Sequence, residues 1–118
     1  MKISMNYVND NTFKVQNQSN NELLIDMCDP DKKNHLSPME LLLSAVTSCA
    51  AVEIVSMIKK RKRDFKNILA KTNGTRVDTS PRYFSSIDIK YFIYSDDLTN
   101  NEAERYISLS LEKYCSVG

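Results

Sequence analysis

Apolar and polar positions change their spacing several times along this chain. Ile3, Met5 and Tyr7 alternate with polar neighbours, Asn9-Asp10-Asn11 follows as a polar turn, and Phe13 and Val15 alternate again. A second polar tract, Asn17 to Asn21, precedes Leu23-Leu24-Ile25. Short period-two runs separated by Asn- and Asp-rich turns predict an antiparallel meander over residues 1–36. Cys28-Asp29-Pro30-Asp31 ends the strands, and the segment to Leu36 reads as a loop holding the only histidine, His35.

At Ser37 the period changes. Ser37 and Glu40 form an S-x-x-E capping box, in which each side chain satisfies an orphan amide of the first turn. Pro38 stands at the first helical position, where its missing N–H costs nothing. Leu41, Leu42, Leu43, Val46, Ala50, Val52, Ile54, Val55 and Ile58 then place apolar groups around nearly the whole circumference. Such a helix is expected to be buried on every side, with Cys49 inside it. Lys59-Lys60-Arg61-Lys62-Arg63 closes the segment 37–63 at the end of the helix dipole that favours cations.

Residues 66–95 return to strands. Ile68 to Thr72 and Thr75 to Val77 predict one strand with a bulge at Asn73-Gly74. Ser80-Pro81 turns the chain, and Phe84, Ile87, Ile89, Tyr91 and Ile93 mark its partner, ended by Asp96-Asp97. Thr99 and Glu102 form a second capping box, opening an amphipathic helix to about Lys113 within the segment 99–118. The order βββ-α-ββ-α predicts one α+β domain over 1–118, with antiparallel sheets around a long buried central helix. One sheet and one further helix cannot cover an apolar cylinder on all sides. The missing cover is expected from a second copy of the chain, giving an intertwined homodimer.

Composition narrows the function. A net charge of +1 over 118 residues excludes a duplex-binding surface, so no nucleic-acid partner is expected, and two glycines exclude a Gly-rich phosphate loop. Met1 to Asp10 lacks the apolar segment of a signal peptide. The apolar run Leu41 to Val52 spans about 12 residues, short of the ~20 needed to cross a bilayer. No membrane partner is expected, and the simplest location is cytoplasmic. Three cysteines, Cys28, Cys49 and Cys115, make an odd count far apart in sequence, unlike a secreted disulfide framework. In a reducing compartment such thiols are free, metal-bound or redox-active.

Cys49 is the leading chemical candidate, set against the alternative that a cysteine here packs as a small hydrophobe. Cys115, beyond a second helix, could meet it if their Cα atoms lie within about 7 Å. Glu53 is one turn from Cys49; it either handles protons, is neutralised by a cation, or lies on a solvated patch. His35 has no Asn or Asp at a matching spacing, which argues against a cysteine hydrolase. The three cysteines with His35 contain no close ligand pair, so no metal centre is expected. The Lys59–Arg63 run reads as a solvated helix end, and Cys28 beside its Asp-Pro turn as incidental.

From Ser37 onward the chain resembles the OsmC/Ohr family of osmotically inducible and organic-hydroperoxide-resistance proteins. The resemblance is carried by Ser37-Pro38-Met39-Glu40-Leu41-Leu42, by Ser48-Cys49 eleven residues after Pro38, and by Leu109-Ser110-Leu111-Glu112-Lys113-Tyr114-Cys115. It implies the OsmC-like fold, an intertwined homodimer with two sites at the subunit interface, and no metal or organic cofactor. It implies Cys49 as peroxidatic thiol and Cys115 as resolving thiol, an organic hydroperoxide as substrate, and a small or protein thiol as reductant. Two positions depart from the family's peroxidases. Those carry an arginine in the N-terminal half, whereas no arginine precedes Arg61 here, and a glutamate directly after the motif proline, where this chain has Met39. The departures imply weak peroxidase activity that rises with pH, with Arg76, Arg82, Arg105 or the Lys59–Arg63 run of a second chain as substitute cations. The alternative they leave is a dimer of little or no activity that binds a small apolar or thiol-containing ligand.

Overall fold

The structure, a computed structural model, describes residues 1–114, and of residues 113 and 114 only the backbone. The element order is that read from the sequence: β1 (Ile3–Asn9), β2 (Thr12–Asn17), β3 (Glu22–Asp26), α1 (Pro38–Lys60), β4 (Asn67–Arg76), β5 (Phe84–Tyr94) and α2 (Asn100–Leu109). A π-helical turn, Ser110–Tyr114, follows α2 directly. The architecture is α+β, with antiparallel sheets β1-β2-β3 and β4-β5. The chain divides into two compact units, Met1–Leu42 and the remainder from Leu43.

In the first unit, Asp10 and Asn11 both take left-handed φ values, 46° and 57°. They form the two-residue loop of the β1–β2 hairpin, whose twist that conformation matches. At the next turn Asn17 is the organiser: its Oδ1 accepts the N–H groups of Ser19 and Asn21, at 3.0 and 2.9 Å. The register Met5↔Val15 and Tyr7↔Phe13 in one pair, with Phe13↔Ile25 and Val15↔Leu23 in the next, aligns these apolar residues on one face. The Tyr7 and Phe13 rings meet edge to face there, 5.3 Å apart. Ile3, Met5, Tyr7 and Leu23 on that face remain exposed in the chain.

In the second unit the core is Ile54, Ile58 and Tyr106, with Met57, Phe65, Ile68, Tyr91, Ile93, Leu98 and Ile107 packed against it. Only one stripe of α1, Val46, Ala50, Ile54 and Ile58, is buried. The expectation of a helix covered on all sides therefore does not hold within one chain: Val52 is 66% exposed, and Ser48 and Ser56 share its open face. The 12-residue estimate of its apolar length also falls short. The full 23-residue helix is long and apolar enough by composition to span a bilayer, a test that the core helix of a soluble protein also passes.

Helix α1 stops without a glycine. Lys62 adopts φ 56°, while Lys62 N–H reaches Lys59 O at 3.0 Å and Arg63 N–H reaches Ile58 O at 3.1 Å. That is the Schellman pattern, built on a lysine in the left-handed region. The bulge expected at Asn73-Gly74 is absent: pairing is regular through Asn73↔Asp88 and Gly74↔Ile87, and the register shifts only between Thr75 and Arg76. Gly74 is needed for space. A Cβ there would lie 2.6 Å from Phe84 Cε1 and 2.9 Å from Leu43 Cδ2.

Candidate functional site

The start of α1 is held more firmly than the capping box alone would hold it. Ser37 N–H donates to Glu40 Oε1 (2.9 Å), and Glu40 N–H donates to Ser37 Oγ (3.2 Å). Lys33 Nζ adds an ion pair to the same carboxylate at 2.6 Å. Lys33 first, then the Ser37 amide and hydroxyl, pull the Glu40 carboxyl down to about 2. A depressed carboxyl stabilises the fold above its unfolded value, near 4.5, and that stabilisation is lost as pH falls towards 2. Glu40→Gln should therefore lower the urea midpoint at pH 6 but not at pH 2. The expected difference is only about 0.5 to 1 kcal/mol, because the carboxylate is half exposed and screened. Comparing the two proteins cancels the other carboxylates that titrate in this range.

Cys49 lies midway along α1 as a free, partly buried thiol. Its row on the helix, Ala45, Cys49, Glu53 and Met57, is half-buried throughout, between the core stripe and the open Ser48, Val52 and Ser56 row. The helix is fastened to its sheet just before the thiol. The Thr47 hydroxyl donates to Leu43 O at 2.7 Å and meets the Thr72 hydroxyl at 2.6 Å, while Tyr91 Oη donates to Thr47 O at 2.8 Å. These contacts set the rotation of α1 and hence the direction Cys49 faces. Sequence patterning gave Thr72 and Tyr91 only as strand positions and did not connect them or Thr47 with the thiol, although a threonine two residues before a candidate nucleophile in an apolar helix was a usable signal.

The cations named from the sequence are largely committed elsewhere. Arg63 grips Glu102 through Nε and Nη2, both at 3.2 Å. Arg76 Nε donates to Arg82 O (2.8 Å) and Arg82 Nε to Val77 O (3.4 Å), bracing the β4–β5 connection. Lys59 stands 5.8 Å above the Phe65 ring, and Arg105 is exposed on α2. The second capping box is correspondingly altered. Thr99 Oγ1 accepts Glu102 N–H at 3.2 Å, but the Glu102 carboxylate faces Arg63 and the Tyr106 hydroxyl. Burial pushes that carboxyl up, yet Arg63 and Tyr106 outweigh burial and hold it below its ordinary range.

Cys28 and His35 belong to the first unit, around an open cleft of about 730 Å3 that also carries Asp10, Asp26, Asp29 and Lys32. Cys28 is not merely incidental: its Sγ donates to Asp10 O at 3.0 Å, tying the loop to the β1–β2 turn. The centre of this loop is Asp26, 1% exposed, which sequence patterning missed. Its carboxylate accepts N–H groups from Cys28 (3.3 Å), Asn34 (3.0 Å) and His35 (2.7 Å). Burial raises its pKa, but these amides and nearby Lys33 bring the net shift below the ordinary value. An aspartate ending a strand before a loop rich in Asp, Asn and Pro was the available clue. Among the described residues no three His, Cys, Asp or Glu side chains gather at a point that could hold a metal ion. Cys115, and with it the Cys49–Cys115 pairing, lies outside the described residues.

Residues 30–118 match the family described as OsmC-like protein. Protein YhfA of Escherichia coli K12 is 32% identical over 117 residues, which cover 99% of this chain and 86% of that one. Among solved structures, a hypothetical protein from Aquifex aeolicus VF5 is similar at TM-score 0.82 and 28% identity, over 98% of this chain and 82% of that one. The organic hydroperoxide resistance protein OhrB of Bacillus subtilis gives TM-score 0.63 at 12% identity, over 98% and 87%, a likeness of fold alone. With a family match that takes in all of α1 and everything after it, and a relative 32% identical over nearly the whole chain, the chain belongs to the OsmC-like protein family.

Proposed function

We propose that this protein is a cysteine-based peroxidase that reduces organic hydroperoxides as an intertwined homodimer in a reducing, cytoplasmic setting. The observation that carries this reading is Cys49: a free, partly buried thiol midway along an apolar helix and beside its open face. The Cys49 thiolate attacks one oxygen of the peroxide. The O–O bond breaks, sulfur is oxidised by two electrons to a sulfenic acid, and the alkoxide leaves and takes a proton to become an alcohol. The Cys115 thiol then condenses with the sulfenic acid, forming a disulfide and releasing water. A small or protein dithiol reduces that disulfide and is itself oxidised. Apolar neighbours favour an organic peroxide over hydrogen peroxide. No metal or organic cofactor enters these steps.

Two surfaces support the dimer. The meander exposes Ile3, Met5, Tyr7 and Leu23 on one face, and α1 exposes Val52. Two-fold association that buries such surfaces recovers about 25 cal/mol per Å2. Sedimentation should give a mass near twice 13.5 kDa. In the same sample, thiol titration before and after one equivalent of cumene hydroperoxide should show two thiols lost per chain. A monomer, or an unchanged thiol count, would count against the reading.

A second reading has its own support. Arg63, Arg76 and Arg82 are engaged within the chain, so none of these three is spare to serve as the guanidinium partner that a fast peroxidase uses. On that reading the dimer binds a small apolar or thiol-containing ligand and Cys49 forms part of the wall.

A further inference from the structure

Strands β4 and β5 turn one face to the core and leave the other in solvent. Ile68, Tyr91 and Ile93 pack against the cluster of Ile54, Ile58 and Tyr106. Side chains alternate along a strand, so the residues between them point outward. On that outer face the register sets Asn67 opposite Tyr94, Leu69 opposite Phe92, Lys71 opposite Lys90, and Asn73 opposite Asp88. Leu69 (51%), Phe92 (44%) and Tyr94 (48%) remain exposed, an apolar band at one end of the sheet.

Beside this band stands a charge arrangement that the fold alone does not favour. Like charges directly opposite each other on two strands destabilise their pairing. Lys71 and Lys90 are such a pair, both exposed. Among the described residues neither side chain has an ion pair or a hydrogen bond. With Asn73, Asp88, Thr72 and Ile89 they line an open depression of about 590 Å3. Two ammonium groups against one carboxylate leave it positive.

We propose that this outer face is a docking surface for an amphipathic helix of an acidic partner protein. A carboxylate of that helix sits between Lys71 and Lys90, and its apolar side chains cover Leu69, Phe92 and Tyr94. Width fits this occupant: two strands about 4.8 Å apart make a strip that one helix, ~10–12 Å across, covers. Spacing fits as well. Successive outward pairs lie about 7 Å apart along the strands, close to the ~6 Å between helix residues i and i+4. One helix face therefore offers an acid and, one and two turns on, apolar groups. Charge selects the partner, because its carboxylate relieves the lysine repulsion through charge-assisted hydrogen bonds. Cys49 takes no part, so the inference stands apart from the peroxidase reading.

The test uses the full-length reduced protein, labelled with 15N, and a synthetic helical peptide carrying a glutamate with leucines one and two turns further on. The peptide should shift the amide signals of Leu69, Lys71, Lys90, Phe92 and Tyr94. The double variant Lys71→Glu, Lys90→Glu should bind it at least about tenfold more weakly and should prefer a peptide with lysine in place of the glutamate. Phe92→Ser should weaken binding without changing the charge preference, and Cys49→Ser should bind as the parent does. These positions are exposed, so the circular dichroism spectrum should not change. Absence of shifts on this face, or a double variant that keeps the parent's preference, would overturn the proposal. So would loss of dimer mass in Phe92→Ser, which would assign the face to a second copy. Binding to phosphatidylglycerol vesicles through the two lysines, with the peptide ignored, would overturn it in favour of a membrane.

Discussion

Cys49→Ser should abolish peroxide consumption, lowering the rate at least about a thousandfold, because serine at neutral pH offers neither the nucleophilicity nor the redox chemistry of a thiolate. Cys28→Ser should leave the rate within about twofold. The contrast is informative because both thiols are free and partly buried; exposure alone does not choose between them. Their positions do. Cys28 donates to the Asp10 carbonyl and secures a loop, whereas Cys49 stands on the continuous helix α1. The substitution removes little volume at a half-buried site, so the fold should persist and Tm should change by only a few degrees. Peroxide consumption by dithiothreitol-reduced protein is the measurement. Equal loss in both variants would point to a general thiol reaction without a site.

Gly74→Val should cost about 3 kcal/mol or more, a large part of the 5 to 15 kcal/mol that holds a domain of this size together. A glycine inside a strand is ordinarily a weakness, and adding a side chain would be expected to help. Here the sign reverses. The first added carbon already lies 2.6 Å from the Phe84 ring, and a valine adds two more toward it and Leu43. Moving Phe84 disturbs the register where β4 and β5 shift past Thr75. Displacing Leu43 disturbs the carbonyl that receives the Thr47 hydroxyl. Urea unfolding monitored by circular dichroism would measure the loss, and a variant as stable as the parent would mean that Phe84 can swing aside.

How far the sequence revealed the fold depended on how local each signal was. The Ser37–Glu40 box joins residues three apart and formed as read. The Thr99–Glu102 box formed only in part, because a distant arginine competes for its glutamate, and that competition is not visible from spacing. Asn73-Gly74 suggested a turn-like irregularity, yet the glycine serves close packing against a ring ten residues away. Lys62 gave no warning of a left-handed cap, since lysine has no preference for that conformation. The period of α1 was legible, but its burial was not. Apolar residues on every face state only that cover is wanted, and one chain covers a single stripe.

The site was legible to a similar degree. Cys49 stood out by its place in an apolar helix and by a family motif, whereas the groups fixing that helix, Thr47, Thr72 and Tyr91, come from three elements whose meeting no local pattern encodes. Asp26 looked like one more acid in a polar loop, although it gathers three backbone amides. Ser110 is the reverse case: its spacing from Ala103, Tyr106 and Ile107 puts it on the apolar face of the second helix, yet only the structure shows its hydroxyl buried and, among the described residues, unpaired.

Peptide mapping by mass spectrometry after one equivalent of cumene hydroperoxide tests the central claim most directly. Reduced protein should yield a peptide in which Cys49 is linked to Cys115, and Cys115→Ser should instead carry a sulfenic acid, trapped by dimedone, at Cys49. Oxidation confined to Cys28, with Cys49 recovered as the free thiol, would contradict it.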